Sequence, residues 1–319
     1  MSEPAVIHES DAYCNPDERI EYILDEKMIF ADMKVPMHWP LRVFNLNGLG
    51  IDQAAFLKHI APTFRDLPWD EYDSRHAQVQ CLHAAFPEEE KRIEIFNHRY
   101  YVGQCDLSPV EDLIAKLDPV TRKKFDAITP HRRRSLARFR VRKVSRYYWN
   151  VARIPAGSFS QSQGSGDFRE EVRVFQEMST SVSMHAGFEK LLMRLGQIVE
   201  QIHGRPEYLE INVHQMTTVA RQNQSGEGAP EGTHQDGVDY VVPAIVIERK
   251  HILGGMSHVY GSDKVTPYLH ITLKPGQGIF QTDIESPFWH SISPICVDPN
   301  AGPDAIGERS IMGPDIRIL

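Results

Sequence analysis

At 319 residues, 41% apolar and 24% charged, the chain can bury one large core or two modest ones and has the composition of a soluble globular protein. Its net charge of −8 argues against a nucleic-acid partner held by phosphate neutralisation. No apolar run approaches the roughly 18 residues of a membrane span, and Met1-Ser2-Glu3-Pro4 lacks the basic and apolar regions of a signal peptide. Four scattered cysteines without a Cys-x-x-Cys spacing argue against a thiolate zinc site or a disulfide framework, so reduced thiols in a cytoplasmic protein are expected.

In chain order, Asn15-Pro16-Asp17 predicts a cap for a short helix through Ile20, Ile23 and Leu24. Leu41–Ile51 reads as a strand ending in a glycine turn, and Asp52 as the cap of a helix carrying Phe56, Leu57 and Ile60. Pro68–Asp73 is a polar, aromatic connector, and Ile93–Val102 has the composition of a strand. Ser108-Pro109 starts a helical stretch to residue 128. A boundary is expected at Thr129-Pro130. It divides an N-terminal α/β region, 1–129, from a second domain, 130–319. The run Arg132-Arg133-Arg134 reads as a solvated helix face. Alternation through Phe139, Val141, Val144, Tyr147, Trp149 and Val151 predicts strands, and Gly157–Asp167 a loop.

The clearest helix is 186–203, with Phe188, Leu191, Leu192, Leu195, Ile198, Val199 and Ile202 on one face and Gly204-Arg205-Pro206 as its stop. Short strands follow: Leu209–Arg221, Val238–Glu248, Met256–Tyr260, Tyr268–Leu273, Gly278–Gln281, a pair near Ser291–Val297, and Ser310–Leu319. With their Gly and Pro turns they indicate a mainly β sandwich or barrel with flanking helices.

The chemistry centres on Glu231-Gly232-Thr233-His234-Gln235-Asp236-Gly237, which enters the apolar run Val241–Ile247. In a strand, residues i and i+2 share a face, so His234 and Asp236 direct an imidazole and a carboxylate into one space. With a second histidine they form the two-His-one-carboxylate set of non-heme Fe(II) oxygenases. His290 is the candidate by context: it opens a strand after Gly276–Asp283 and the connector Ser286-Pro287-Phe288-Trp289. On its own His-x-Asp reads equally well as a turn with an exposed pair.

At this point the chain resembles bacterial Fe(II)- and 2-oxoglutarate-dependent dioxygenases that hydroxylate free amino acids, of the isoleucine 4-hydroxylase type. The resemblance rests on His214-Gln215, Pro230–Tyr240, Gly254–Tyr260 and Trp289–Ile295, more thinly on Arg132–Arg134 and Gln161-Ser162, and covers roughly residues 130–319. It implies a double-stranded β-helix, or jelly-roll, with iron on His234, Asp236 and His290 and no catalytic residue beyond the metal centre. It also implies 2-oxoglutarate and O2 as cosubstrates, and succinate and CO2 as products. The distal carboxylate of 2-oxoglutarate is expected on a late arginine, either Arg309 or Arg317, since a guanidinium fork matches a carboxylate.

Further cosubstrate contacts are expected from Ser257 and Tyr260, although Tyr260 reads more readily as a core aromatic. One face of the 209–221 strand carries His214, Met216 and Thr218, the other Gln215, Thr217, Val219 and Arg221. His214, Gln215, Arg221, Asp239 and Tyr240 are the candidates for the small-molecule amino-acid substrate. The alternatives are a cupin-like metal enzyme that does not use 2-oxoglutarate and a metal-binding protein without activity. No membrane partner is expected. The N-terminal region is open to three roles: a lid, the surface of a homodimer, or a partner-binding module.

Overall fold

The computed structural model describes residues 40–145, 148–158, 172–204 and 206–319. The expected cap at Asn15–Asp17, most of the Gly157–Asp167 loop and the pair Gln161-Ser162 lie outside them. The first half of the chain contains β1 (Leu41–Asn45), α1 (Gln53–Ile60), α2 (Tyr72–Ala85), α3 (Glu90–Tyr101), α4 (Glu111–Lys116), α5 (Pro119–Ala127), β2 (Arg132–Lys143) and β3 (Trp149–Ile154). Then come α6 (Thr180–Ser183), α7 (Ala186–His203), β4 (Tyr208–Ala220), β5 (Tyr240–Val241), β6 (Ile245–Lys250), β7 (Ile252–Gly254) and β8 (Ser257–Tyr260). The chain ends with β9 (Pro267–Ile271), β10 (Gln277–Thr282), β11 (Trp289–Ile292), β12 (Ile295–Val297) and β13 (Gly307–Ile318).

An eight-stranded antiparallel sheet runs β1-β10-β5-β13-β4-β2-β3, with β6 bonded to both β10 and β13. Its spine is the twelve-residue ladder from Gly307↔Ala220 to Ile318↔Leu209, extended on the other edge of β4 from Arg132↔Thr218 to Arg142↔Tyr208. A three-stranded sheet, β11-β8-β9, packs on it. Val246, Ile279 and Ile311 of the large sheet share one apolar cluster with Val259, Leu269 and Phe288 of the smaller side. Two antiparallel sheets face to face with flanking helices form a jelly-roll core.

The opposite face of the large sheet is covered by α7. Phe188, Leu191, Leu192, Leu195 and Val199 recur at helical spacing and are fully buried against Trp149, Ile211 and Val213. Each contributes roughly 1.5–3 kcal/mol by burial. Gly196 permits the close fit, since a Cβ there would meet the Trp149 ring at 3.0 Å. Gly204, at φ +99°, ends the helix as expected.

Several expectations are corrected. Residues 93–102 are helical, in α3. Ile93, Phe96 and Tyr100 are buried at i, i+3 and i+7, while Ile95 is 74% exposed, so period prevails over β-favouring composition. The helical stretch from 108 breaks at Asp118, whose carboxylate caps α5 by accepting from the N–H groups of Val120 and Thr121. Arg132–Arg134 begin β2 rather than a solvated helix face, and Arg132 is 5% exposed. The strand expected over 238–248 is interrupted at Pro243, which lacks a ladder N–H. Cys81 and Cys105 are free thiols. No helix of the described residues is long and apolar enough to cross a membrane.

Packing crosses the expected boundary at residue 129. β1 pairs with β10 over five residues, and Leu46, Ile51, Phe56, Ile60 and Phe64 sit in the same core as α7 and β4. α2 to α5 enclose a separate cluster around Leu82, Phe96 and Phe125. Removing the five residues of the shared core forfeits roughly 8–15 kcal/mol of burial, as much as the total stability of about 5–15 kcal/mol typical of a domain. A chain starting at Thr129 is therefore expected to lose cooperative thermal unfolding. A sharp calorimetric transition in that fragment would show instead that 130–319 folds alone.

Candidate active site

His234 and His290 meet through their backbones. The His234 N–H donates to the His290 carbonyl at 2.9 Å, and the His290 N–H donates back at 3.0 Å. Such a reciprocal antiparallel pair sets both side chains on one face, and the ring centroids lie 4.4 Å apart. β11 supplies His290 through its ladder with β8, where His290 stands opposite Val259. Asp236, two residues beyond His234, completes the set. Its carboxylate oxygens lie 3.5 Å from His234 Nε2 and 3.2 Å from His290 Nε2. One ligand atom from each of the three lies within 4.8 Å of the others, the right size for one metal ion.

Neighbouring groups select the tautomers. His234 Nδ1 is 2.9 Å from the Gly232 carbonyl, so it carries the proton there and turns the Nε2 lone pair into the cluster. Gln281, fully buried, sets its amide 3.4 Å from His290 Nδ1. The amide nitrogen is the near end and the amide oxygen is without a partner among the described residues; exchanging the two ends lets the oxygen accept from a protonated Nδ1. Burial alone would lower the His234 pKa, but the Asp236 carboxylate outweighs it and raises the value to about 9. Burial likewise opposes ionisation of Asp236, and the two histidines hold it well below the usual carboxylate range. A divalent cation bound here takes the place of those protons.

The loop carrying these ligands is clamped from behind. Gln235 points away from the cluster, and its Nε2 reaches the carbonyls of Asp283, Ser286 and Phe288 at 2.7–3.1 Å. The Asp283 carboxylate accepts from the N–H groups of Gly237 and Val238 at 2.7 and 3.0 Å. Burial, then the Asp236 charge, pushes Asp283 up to about 6. Gln235 thus ties the His234–Asp236 loop to the segment that delivers His290.

A cleft of about 880 Å³, measured out to its open mouth, holds this cluster. Arg309 lines it from β13. It is 3% exposed, and its Nε and Nη2 have no hydrogen-bond partner among the described residues. Burial, then the charge of Arg249, pushes its pKa down to about 9. A buried guanidinium with unused donors is costly unless an anion meets it. Gly255, at φ +67°, lets the side chain pass, since a Cβ would lie 2.9 Å from Arg309 Cδ. Ser257 lines the same cleft. The donor set suits Fe(II), and Arg309 suits the distal carboxylate of 2-oxoglutarate.

The remaining candidates separate. His214 and Met216 line the cleft, which decides which face of β4 points inward. Gln215 faces away, bonded to Thr63 Oγ1 at 2.7 Å and Ser135 Oγ at 3.0 Å. Arg317 is exposed, about 26 Å further along β13 at the usual strand rise. Tyr260 packs beside His258 and His270, off the cleft lining. Asp239 braces the chain end by accepting from the Ile318 N–H at 2.8 Å. Tyr240 stacks on Phe280 within the core, and Arg221 lies over the Trp69 ring. None of these last five reaches the cleft.

Sequence reasoning missed Arg134, Arg173, Glu231 and Asp315, which line the cleft beside the metal-ligand cluster. Arg132 and Arg134 carry a signal, a strand period within a basic run. Asp315, an acid inside the apolar end of β13, carries another.

The Gln235 clamp gives a test. Gln235→Glu replaces the donor by an acceptor facing three carbonyls. Fe(II) affinity is expected to fall by about 10–100-fold, the range typical of residues that orient metal ligands, in an anaerobic titration. Unchanged affinity would mean that the loop holds its shape without Gln235.

Comparison with known proteins agrees with this chemistry. The sequence profile of the 2OG-Fe dioxygenase family matches residues 115–310. No curated protein sequence matches the chain. Among solved structures, a BsmA homologue from Methylobium petroleophilum PM1 is similar at TM-score 0.59 and 16% identity, over 87% of this chain and 88% of that one, a likeness of fold. IDO from Bacillus thuringiensis (TM-score 0.42, 14% identity, 59% of this chain, 77% of that one) is a more distant likeness and adds nothing further. The same holds for the Fe(II)/α-ketoglutarate-dependent dioxygenase TqaL (TM-score 0.44, 14% identity, 77% and 89%). With its profile matched over more than half of the sequence, the chain belongs to the 2OG-Fe dioxygenase family, whose members work with Fe(II), 2-oxoglutarate and O2.

Proposed function

We propose that this dioxygenase hydroxylates an unactivated C–H bond of a free L-amino acid or a close derivative, with release of succinate and CO2. The observation that carries the cosubstrate assignment is Arg309: a buried, hydrogen-bond-deficient guanidinium in the cleft that holds His234, Asp236 and His290. A cupin-like enzyme without a dicarboxylate cosubstrate has no use for that charge, and neither has a metal-binding protein without activity. The amino-acid reading draws on the motif resemblance of residues 214–295. It draws also on the mixed charge of the wall formed by Arg134, Arg173, Glu231 and Asp315, which suits a zwitterion better than a hydrocarbon or a simple acid.

The roles follow from position. His234, Asp236 and His290 would hold the iron, as a two-His-one-carboxylate set. Iron with 2-oxoglutarate and O2 supplies an oxidant able to break an unactivated C–H bond. Arg309 holds the far carboxylate of the cosubstrate and fixes its orientation. Val242, Ala244, Ile292 and Ile311 line the cleft with apolar surface that keeps bulk water out.

Two measurements test this. His290→Ala should abolish tight Fe(II) binding and 2-oxoglutarate consumption while the far-ultraviolet circular dichroism stays that of the wild type; wild-type turnover in this variant would refute the metal assignment. Arg309→Ala should weaken 2-oxoglutarate by roughly 2–5 kcal/mol, the cost of leaving a buried carboxylate unpaired, and Arg309→Lys by less. The readout is the visible absorption of the anaerobic Fe(II) protein as 2-oxoglutarate is added. If Arg317→Ala weakens it instead, the cosubstrate lies elsewhere.

A further inference from the structure

Asp315 is a buried acid that the metal and cosubstrate assignments do not use. It lies on β13, 7% exposed, and its side chain lines the cleft that holds the metal ligands. Among the described residues its ion-pair contact is His214, whose Nε2 lies 3.0 Å from Asp315 Oδ2. That imidazole does not bring a charge. Burial first, then the adjacent Arg134 guanidinium, holds His214 well below its ordinary pKa. Arg134 Nη2 donates to His214 Nδ1 at 2.9 Å, so the single ring proton is on Nε2 and points at Asp315. The chain of donors ends on a carboxylate with no guanidinium or ammonium of the described residues within ion-pairing distance.

Asp70, off the cleft lining beside Arg132 and Arg134, shows what a purely structural acid looks like here. It lies 3.4 Å from Arg132 and 3.9 Å from Arg134. Asp315 is as buried but has a neutral contact partner; burial, then the Asp236 charge, oppose its ionisation, while Arg134, His290 and Arg317 favour it from beyond ion-pairing distance. A buried carboxylate is expensive until a cation meets it. Access is open: Gly313, on the same face two residues earlier, lines the cleft without a side chain. Asp315 is not a metal ligand, because its one nearby imidazole nitrogen already carries a proton.

We infer that Asp315, oriented by His214 and Arg134, receives a primary ammonium group of the substrate. This rests on the amino-acid reading above and gives it a residue. An ammonium fits because it is small, brings three donors and restores the missing charge. The same contact makes Asp315 a specificity-determining residue, since a substrate lacking the amine leaves the carboxylate buried and unmet.

The test uses the full chain and needs no turnover. Free L-amino acids, each paired with its des-amino carboxylic acid, are titrated calorimetrically into the Mn(II)- and 2-oxoglutarate-loaded protein. At least one amino acid should bind about tenfold or more tighter than its des-amino partner. Asp315→Asn should narrow that ratio towards unity, and Asp315→Glu, which keeps the charge, should retain part of it. Equal binding of an amino acid and its des-amino partner to the wild type overturns the inference whether or not the variants fold. So does an undiminished ratio in Asp315→Asn, or no binding by any amino acid of the set. A failure of the dioxygenase reading shows separately, as absence of the visible band when 2-oxoglutarate meets the anaerobic Fe(II) protein.

Discussion

The site depends on two backbone hydrogen bonds, exchanged between His234 and His290. They hold a loop from one part of the chain against β11 from another, and they do so at the residues that must share a metal. Backbone pairing leaves little freedom in Cα separation or side-chain direction, so the imidazoles converge before any ion is bound. The Gln235 and Asp283 contacts then restrain the loop on its far side. Geometry that would otherwise be demanded of the metal is supplied by the sheet, which is the economical way to hold a coordination site on rigid elements.

β13 has a comparable role for the organic ligands. It is hydrogen-bonded along its length to β4 on one edge and to β5 and β6 on the other. Arg309 and Asp315 are six residues apart on it, about 20 Å of strand, and both line the cleft. A cation and an acid, which the proposed reading assigns to two different ligands, are therefore carried on one stiff strand, with their separation set by covalent geometry and ladder register. The neighbouring strands add His214, opposite Gly313, and Arg134, opposite Met216, so that Asp315, His214 and Arg134 step diagonally across the sheet by two residues per strand.

The cleft is expensive to fold. Arg309 is buried with unused donors and Asp315 with a neutral partner. Each costs stability in the free protein, and each is offset when a ligand of opposite charge arrives. The ordinary apolar packing of α1 and α7 against the other face of the sheet supplies the surplus that makes such a cleft affordable. Function and stability are thus divided between the two faces of one sheet.

What the sequence by itself determined is local. His234 and Asp236 share a face because they are two apart at the entrance to a strand, and α7 is legible because its apolar period spans five turns. Chain order and motif also pointed to His290, Arg309 and a β-rich fold. Tertiary structure decided what depends on partners distant in the chain. It decided that α3 is a helix, that Arg309 and not Arg317 faces the cleft, and that His214 points inward while Gln215 supports the core. Tyr240 and Asp239 sit beside the motif yet serve packing and bracing, because the strand turns their side chains elsewhere. The wall of Arg134, His214 and Asp315 was hidden, since its members come from three strands and meet only through the register of β2, β4 and β13. Periodicity assigns a residue to a face; only sheet order and register say what that face meets.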